Sequence, residues 1–374
     1  MSAREARSKT ASGWVAQPTL PGGAYHRAAV WAQEQERIFA AEWICVGREE
    51  ELPRPGSYLV REVADESVLV TRAKDGTLHA LFDTCAHRGT RLLDGQGDLR
   101  SGVIKCPYHA WTYAADGELL ATPNVVAGES FDRSTRPLWR IALDTWNGFM
   151  FVNMSAEPRP LRAAFADNIE GDPTDAVARW RIGELRIGHR IVYEIEANWK
   201  LVVENYSECL HCPGIHPELV KLVPLFRTGT VEGEEGAELA GGAMGFTRTG
   251  TSNRPPLPGL TERDRHVYMG NTLFPTMMIN LHADCVMSYR LEPAGPTHTR
   301  VVSEFLFHPD TIARADFDPA DVVELWDLVS RQDWAVCERA QRGIGSRAYA
   351  RGGVYPENDH SVAAFNDRYR ASMA

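Results

Sequence analysis

The chain has 374 residues, room for two or three domains at about 150 residues each. Hydrophobic residues make up 44% and charged residues 24%, which excludes a mainly disordered chain. Forty basic against fifty acidic residues leave a net charge of −10, which argues against nucleic acid or an anionic membrane as the main partner.

The first 24 residues or so are polar, carry Gly22-Gly23 and read as a loose arm. They lack the apolar core of a secretory signal. No stretch approaches 18 consecutive apolar residues, so no transmembrane helix is expected and a reducing cytoplasm is the default setting. From Arg27 to about Trp43, Val30, Trp31, Ile38, Phe39 and Trp43 recur at helical spacing, which predicts an amphipathic helix.

From Ile44 to about Asn153 the pattern becomes short strands separated by turn pairs. Ser57–Val60, Ser67–Thr71, Leu78–Phe82 and Phe149–Val152 are strand-like, and Pro55-Gly56, Asp75-Gly76, Asp116-Gly117 and Asn147-Gly148 punctuate them. That predicts a small all-β domain. Residues 154–182, with Pro158, Pro160 and Pro173, read as a connection with some helix. Beyond it come a strand over 187–196, a helical run over 198–206, a long loop over 228–260, and strands over 277–291 and 299–307. A helix follows from Asp318-Pro319 to about Gly343, with Asp at the N-cap and Pro at N1. The expected fold is α+β: a small all-β domain over 44–155, then a larger domain over 156–374 with an antiparallel sheet and surrounding helices. Residues 1–43 form an arm and helix expected to pack on the larger one.

Seven Cys is an odd number and far too few for a disulfide scaffold, so each must be read in place. Cys85-x-His87-Arg88-Gly89 precedes Cys106-x-x-His109-x-Trp111, with eighteen residues between His87 and Cys106. Two thiolates and two imidazoles suit a structural zinc or a [2Fe–2S] cluster with His on one iron. Zinc fingers typically keep the Cys pair and the His pair apart. Here each half mixes one of each, which is what a two-iron cluster needs if Cys holds one iron and His the other.

A second constellation lies in the run Glu204-Asn-Tyr-Ser-Glu-Cys-Leu-His-Cys-Pro-Gly-Ile-His-Pro217. Glu208 and His211 share a helix face at i, i+3. Pro213-Gly214 breaks the helix and lets His211 and His216 turn to one point. Two His plus a carboxylate from elsewhere form the facial triad of non-haem Fe(II) oxygenases. Asp333 is the candidate third ligand: it falls on the apolar stripe Val322, Leu325, Trp326, Val329, Val336, Ala340. A carboxylate there is costly unless paired with a cation or metal. A salt-bridged core aspartate is the alternative.

Together the two constellations resemble the large (α) subunit of Rieske non-haem iron oxygenases, over nearly the whole chain. The resemblance implies a [2Fe–2S] cluster on Cys85, His87, Cys106 and His109, and a mononuclear iron on His211, His216 and Asp333. Thr90 and Tyr108 stand where respiratory Rieske proteins carry a further Cys pair, so the oxygenase or ferredoxin type is the nearer match. The resemblance also implies a homotrimer, with the cluster of one subunit facing the iron of the next. Glu208, where most members have Asp, would bridge His109 and His211. A separate flavin and iron–sulfur reductase would bring electrons from NAD(P)H, since this chain has no G-x-G-x-x-G.

The run around Glu208, and Gln332-Asp333-Trp334 with Cys337-Glu338-Arg339-Ala340-Gln341, look like the branch that oxidises quaternary ammonium compounds. That implies N-demethylation of a substrate such as glycine betaine, with release of formaldehyde. Asn205 and Tyr206 are candidate site residues, Tyr206 first for the pocket; Phe246, Tyr268, Phe274 and Tyr289 are candidate wall residues. Mono- or dioxygenation of an aromatic ring is the alternative activity, and a pure electron carrier a third. Cys45, Cys209, Cys212, Cys285 and Cys337 are expected to be free thiols.

Overall fold

The computed structural model describes residues 15–125, 132–166, 177–230 and 236–374. Residues 1–14 of the expected arm, and Pro173 within the expected connection, lie outside them. By contacts the chain forms two compact units, one of residues 34–164 and one of residues 1–33 with 165–374.

The N-terminal segment holds strand β1 (Gln17–Pro18) and helix α1 (Ala28–Glu34), which runs on as a π-helical turn over Gln35–Phe39. The unit boundary falls at 33/34, inside this helical stretch, and not at 43/44. The reason is local. Ala40 and Ala41 carbonyls accept from Met154 N (3.0 Å) and Asn153 Nδ2 (2.8 Å), while Ile38, Phe39 and Trp43 are buried. These bonds fasten the end of the helical stretch to the smaller unit.

Between the π-helical turn at its start and helix α2 at its end, the described residues of the smaller unit are built of β-strands and short turns. Its strands are β2 (Ile44–Arg48), β3 (Ser57–Val63), β4 (Glu66–Arg72), β5 (Leu78–Phe82), β6 (Gln96–Asp98), β7 (Val103–Lys105), β8 (Thr112–Ala114), β9 (Leu119–Ala121), β10 (Arg140–Trp146) and β11 (Phe149–Asn153). Seven of them form an antiparallel sheet in the order β2-β11-β10-β5-β4-β3-β6, and β7-β8-β9 form a second sheet. The apolar alternation places Val60, Leu69, Leu81, Ile104, Tyr113 and Leu119 in one core. The connections β5–β6 and β7–β8 carry the two Cys/His half-sites. Helix α2 (Leu161–Ala166) ends this stretch.

In the larger unit β12 (Arg186–Ile195), β13 (Ala237–Glu238), β14 (Val267–Leu273), β15 (Met277–Leu281), β16 (Val286–Gly295) and β17 (His298–Phe307) form an antiparallel sheet. Its order is β12-β17-β16-β15-β14-β13. Strand β18 (Val354–Tyr355) pairs with β1. The helices are α3 (Trp199–Tyr206), α4 (Cys212–Ile215), α5 (Pro217–Leu222), α6 (Pro309–Ile312), α7 (Ala320–Ile344) and α8 (His360–Met373).

Helix α7 starts one residue later than its sequence suggests. Pro319 is the N-cap, and Asp318 Oδ1 accepts from Ala320 N at 2.8 Å. Its buried stripe runs Val322, Leu325, Trp326, Val329, Ser330, Trp334, Cys337, Gln341, so beyond Asp333 it turns one residue past Val336 and Ala340. Helix α3 is capped by Asn198 Oδ1, which accepts from Lys200 N at 3.0 Å. Asn198 N donates to Gln341 Oε1 at 2.8 Å, which fixes α3 against α7.

Candidate metal centres

In the smaller unit each half-site is a tight loop. Gly89 N donates to Cys85 O (2.9 Å) and Ala110 N to Cys106 O (3.1 Å), while Cys85 N and Cys106 N donate to Thr90 O and Trp111 O. Gly89 and Ala110 close the turns at φ 71° and 58°. At Gly89 this left-handed backbone is free of the Cβ clash that other residues meet. The loops sort their side chains by chemistry. Cys85 and Cys106 are free and buried, whereas His87 is exposed and His109 half-exposed, with the two imidazole centroids 4.7 Å apart. His109 Nδ1 is buried without a hydrogen-bond partner. Two inner thiols and two outer imidazoles, one with an orphaned nitrogen, fit a two-iron cluster with Cys on the inner iron and His on the outer. A zinc site would not need that inside–outside sorting.

Sequence reasoning missed Tyr113. Its hydroxyl lies 3.2 Å from Cys85 Sγ and accepts from Ala86 N at 3.1 Å. Burial holds the phenol well above its usual range, so it stays a donor to the sulfur. The only signal was its place on β8, two residues after Trp111.

In the larger unit His211, His216 and Asp333 offer donor atoms that all lie within 4.8 Å of one another. His211 Nε2 is 3.2 Å and His216 Nε2 2.8 Å from Asp333 Oδ1. The expected break at Pro213-Gly214 lies earlier, because Pro213 fits the first turn of α4 and the chain is instead non-helical over 207–211; the two imidazoles stand nearly perpendicular, at 81° with centroids 5.1 Å apart. Burial disfavours a charged His211, but Asp333 and Glu208 outweigh it and raise its pKa to about 10. Burial likewise opposes ionisation of Asp333, and the two imidazoles overcome it and lower its pKa. A metal ion would take the place of the His211 proton, since an imidazole must be neutral to bind it, and would balance the charge of Asp333 and Glu208.

The remaining ring nitrogens are both occupied. Glu208 Oε1 takes His211 Nδ1, and Gln332 Oε1 takes His216 Nδ1 at 2.7 Å. Each Nε2 is thus left as the metal-facing donor, and a two-His, one-carboxylate set fits mononuclear iron. Gln332 was legible only as a neighbour of Asp333.

Glu208 sits just beyond the end of α3, where its second oxygen accepts from the Leu210 and His211 amides. Asn205 is half-buried and makes no side-chain hydrogen bond among the described residues. Tyr206 donates to Ile279 O (2.9 Å) and Asn280 Oδ1 (3.0 Å), with its ring 6.3 Å from Tyr289. Tyr289 reaches Ser330 Oγ at 2.6 Å, one helical turn before Asp333. Phe246 and Tyr268 pack together at 5.2 Å. Phe274, in contrast, lies against Phe365 and Arg368 of α8.

The expectation of five free thiols needs correction. Cys209 and Cys212 form a disulfide across His211, since the chain bend brings their Cα atoms to 4.9 Å, within bridging range. Cys45, Cys285 and Cys337 are buried and take part in no disulfide.

The Rieske [2Fe-2S] family matches residues 42–133, and the catalytic domain of the ring hydroxylating alpha subunits matches residues 182–374. The chain belongs to the Rieske non-haem iron oxygenases, as their large subunit. Members carry a [2Fe–2S] cluster in the first domain and a mononuclear iron in the second, with electrons supplied by a reductase.

The glycine betaine monooxygenase oxygenase subunit of Chromohalobacter salexigens is 31% identical, over 95% of this chain and 86% of its own. The carnitine monooxygenase oxygenase subunit of Acinetobacter baumannii is 32% identical, over 88% and 86%. The crystal structure of the quaternary ammonium monooxygenase CntA with L-carnitine superposes at a TM-score of 0.75, with 27% identity and 96% of each chain covered. Naphthalene 1,2-dioxygenase from Rhodococcus sp., at 19% identity and a TM-score of 0.75 over 95% and 94%, shares the fold. Among the described residues no helix is long and apolar enough to cross a membrane.

Proposed function

We propose that this chain is the terminal oxygenase of a system that hydroxylates an N-methyl group of a small quaternary ammonium compound, such as glycine betaine. The observation that carries the reading is the row of rings beside Asp333. Tyr206 faces Tyr289 at 6.3 Å, Tyr289 meets Trp334 at 5.7 Å, and Trp334 meets Tyr193 at 5.9 Å. Aromatic faces attract a methylated cation that can neither donate hydrogen bonds nor lose its charge. The relatives named for glycine betaine and carnitine point the same way.

The reaction balances with the N-methyl ammonium ion, one dioxygen, two electrons and two protons giving the N-hydroxymethyl ammonium ion and one water. The carbinol then breaks its C–N bond, releasing formaldehyde, the tertiary amine and a proton. Held by Cys85, His87, Cys106 and His109, the cluster would supply electrons one at a time, and iron on His211, His216 and Asp333 would supply the oxygen-activating centre. The chain's own part is to orient both imidazoles through Glu208 and Gln332 and to seat the cation against Tyr206, Tyr289 and Trp334.

Glu208 serves in this reading as the bridge from His211 to His109 of a neighbouring copy, in a homotrimer. The system works in the cytoplasm with a separate flavin and iron–sulfur reductase. A substrate screen with such a reductase tests the proposal. Formaldehyde released in step with oxygen consumption on betaines is the expected result. Hydroxylation of aromatic acids without formaldehyde from any betaine would overturn it.

A further inference from the structure

One face of the larger sheet is short of hydrogen-bond partners. In the register, Gly270 pairs with Asn280, Asn280 with Met287 and Met287 with Phe305, while Met278 pairs with Tyr289 and Tyr289 with Ser303. Paired residues share a face, and so do residues two apart. Tyr268, Gly270, Asn280, His282 and Tyr289 therefore point to the same side. Helix α7 covers that side: Tyr193 donates to Asp327 Oδ1 at 2.8 Å, Tyr289 meets Ser330, and His282 stacks beside Trp326 at 5.5 Å.

Asn280, His282 and Trp326 are only 0%, 2% and 5% exposed. Among the described residues, Asn280 Nδ2, His282 Nε2 and Trp326 Nε1 have no hydrogen-bond partner. A buried donor left unpaired is destabilising, because its lost bond to water is not replaced. The Asn280 acceptor, in contrast, is used twice, by the hydroxyls of Tyr268 (2.6 Å) and Tyr206 (3.0 Å). A side chain at Gly270 would prevent this, since its Cβ would lie 2.8 Å from both hydroxyls.

The rings of Tyr268, His282 and Trp326 form a triangle with sides of 6.2, 6.3 and 5.5 Å, and Phe246 stacks on both His282 and Trp326. Burial holds His282 neutral, with its pKa down to about 3. The layer therefore gathers uncharged donors, beside the buried hydroxyl of Ser303, which pairs with Tyr289 on the same face. It adjoins the Tyr206–Tyr289 pair and, through Ser330, Asp333.

We propose that Asn280 Nδ2 and Trp326 Nε1, joined by His282 in the tautomer protonated on Nε2, form a subsite for the carboxylate of the substrate. The substrate class narrows to zwitterions whose quaternary nitrogen sits against Tyr206 and Tyr289 and whose carboxylate reaches these donors. Choline, which lacks a carboxylate, is then disfavoured. The choice of zwitterion rests on the quaternary ammonium reading above; the carboxylate subsite does not.

Anaerobic calorimetry on the iron-loaded protein tests it, with glycine betaine against choline and benzoate against benzyl alcohol. Asn280→Asp keeps an oxygen for both tyrosines and replaces the N–H donor with a second carboxyl oxygen, which repels a carboxylate when ionised. Trp326→Phe removes the second donor and is the safeguard if the first variant misfolds. Each variant should cut the preference for the carboxylate member of each pair over its partner by about ten- to a hundredfold. If neither cation binds but benzoate outbinds benzyl alcohol and the variants abolish that preference, the quaternary ammonium reading fails and the subsite stands. A carboxylate preference absent from both pairs, or unchanged in the folded variants, overturns the subsite.

Discussion

Gln332 accepts from His216 Nδ1 at 2.7 Å, on the opposite side of the imidazole from the Nε2 that lies 2.8 Å from Asp333. The two neighbouring residues of α7 thus grip one ring from both ends: one sets its tautomer, the other shares its metal position. Gln332→Leu should lower iron affinity about ten- to a hundredfold, the usual cost of losing such support. Gln332→Glu keeps an acceptor and should retain most of it. Competition with a chelator measures both, and the absorption of the Rieske cluster should be unchanged in either.

Tyr113 offers a test in the other domain. Its hydroxyl lies 3.2 Å from Cys85 Sγ; a thiolate that ligates the cluster has no proton to give, so the hydroxyl would donate, and such a bond favours the more negative, reduced cluster. Tyr113→Phe should therefore lower the midpoint potential. A hydrogen bond worth about 1 kcal/mol corresponds to roughly 40 mV for one electron. Redox titration monitored by absorbance reads it directly. An unchanged or raised potential would show that the sulfur does not feel the hydroxyl.

Both metal constellations were legible because their residue types are rare and their spacings follow from local geometry. A Cys and a His on one tight loop, or two His either side of Pro-Gly, need no tertiary information. Asp333 could be placed because a carboxylate on an apolar stripe demands a partner. Gln332, Tyr113 and Asn280 were not legible as site residues. An amide or phenol carries no such demand, and only the packing of α7 and the sheet registers show what each one meets. The Cys209–Cys212 pair was misread for a related reason: whether sulfurs three apart can bond depends on the bend at His211. Strand β14 and helix α8 were also missed, since Val267–Leu273 and His360–Met373 are only weakly patterned.

Glu208 is held by local backbone amides and by His211, so its position survives a change of charge. Glu208→Gln should leave cluster and iron content intact while slowing single-turnover oxidation of the cluster at least tenfold. Rapid-mixing absorbance measures that rate. A wild-type rate in the variant would remove Glu208 from the path between centres.

Glu204, one turn before Glu208, predicts a pH dependence of stability. It is half-buried and accepts from Tyr25 (2.8 Å), Asn366 (3.0 Å) and Tyr355 (3.5 Å), joining α3 to the N-terminal segment and α8. Burial raises its pKa to about 7, although the hydrogen bonds from Tyr25 and Asn366 and the charge of Lys200 pull it down. A pKa raised on folding means that the folded chain holds this proton more tightly than the unfolded one, whose carboxyl titrates near 4.3. The stabilisation is fully present below about pH 4.3 and is lost as the pH rises through 7, by an amount on the order of 3 kcal/mol. Glu204→Gln keeps an oxygen for Tyr25 and Asn366 but cannot ionise. Its stability relative to wild type should rise between about pH 4.5 and 7 and level off above that. Thermal unfolding of both proteins at pH 5, 6, 7 and 8 tests this, and a difference that stays flat across the series would show that Glu204 is ionised in the fold throughout.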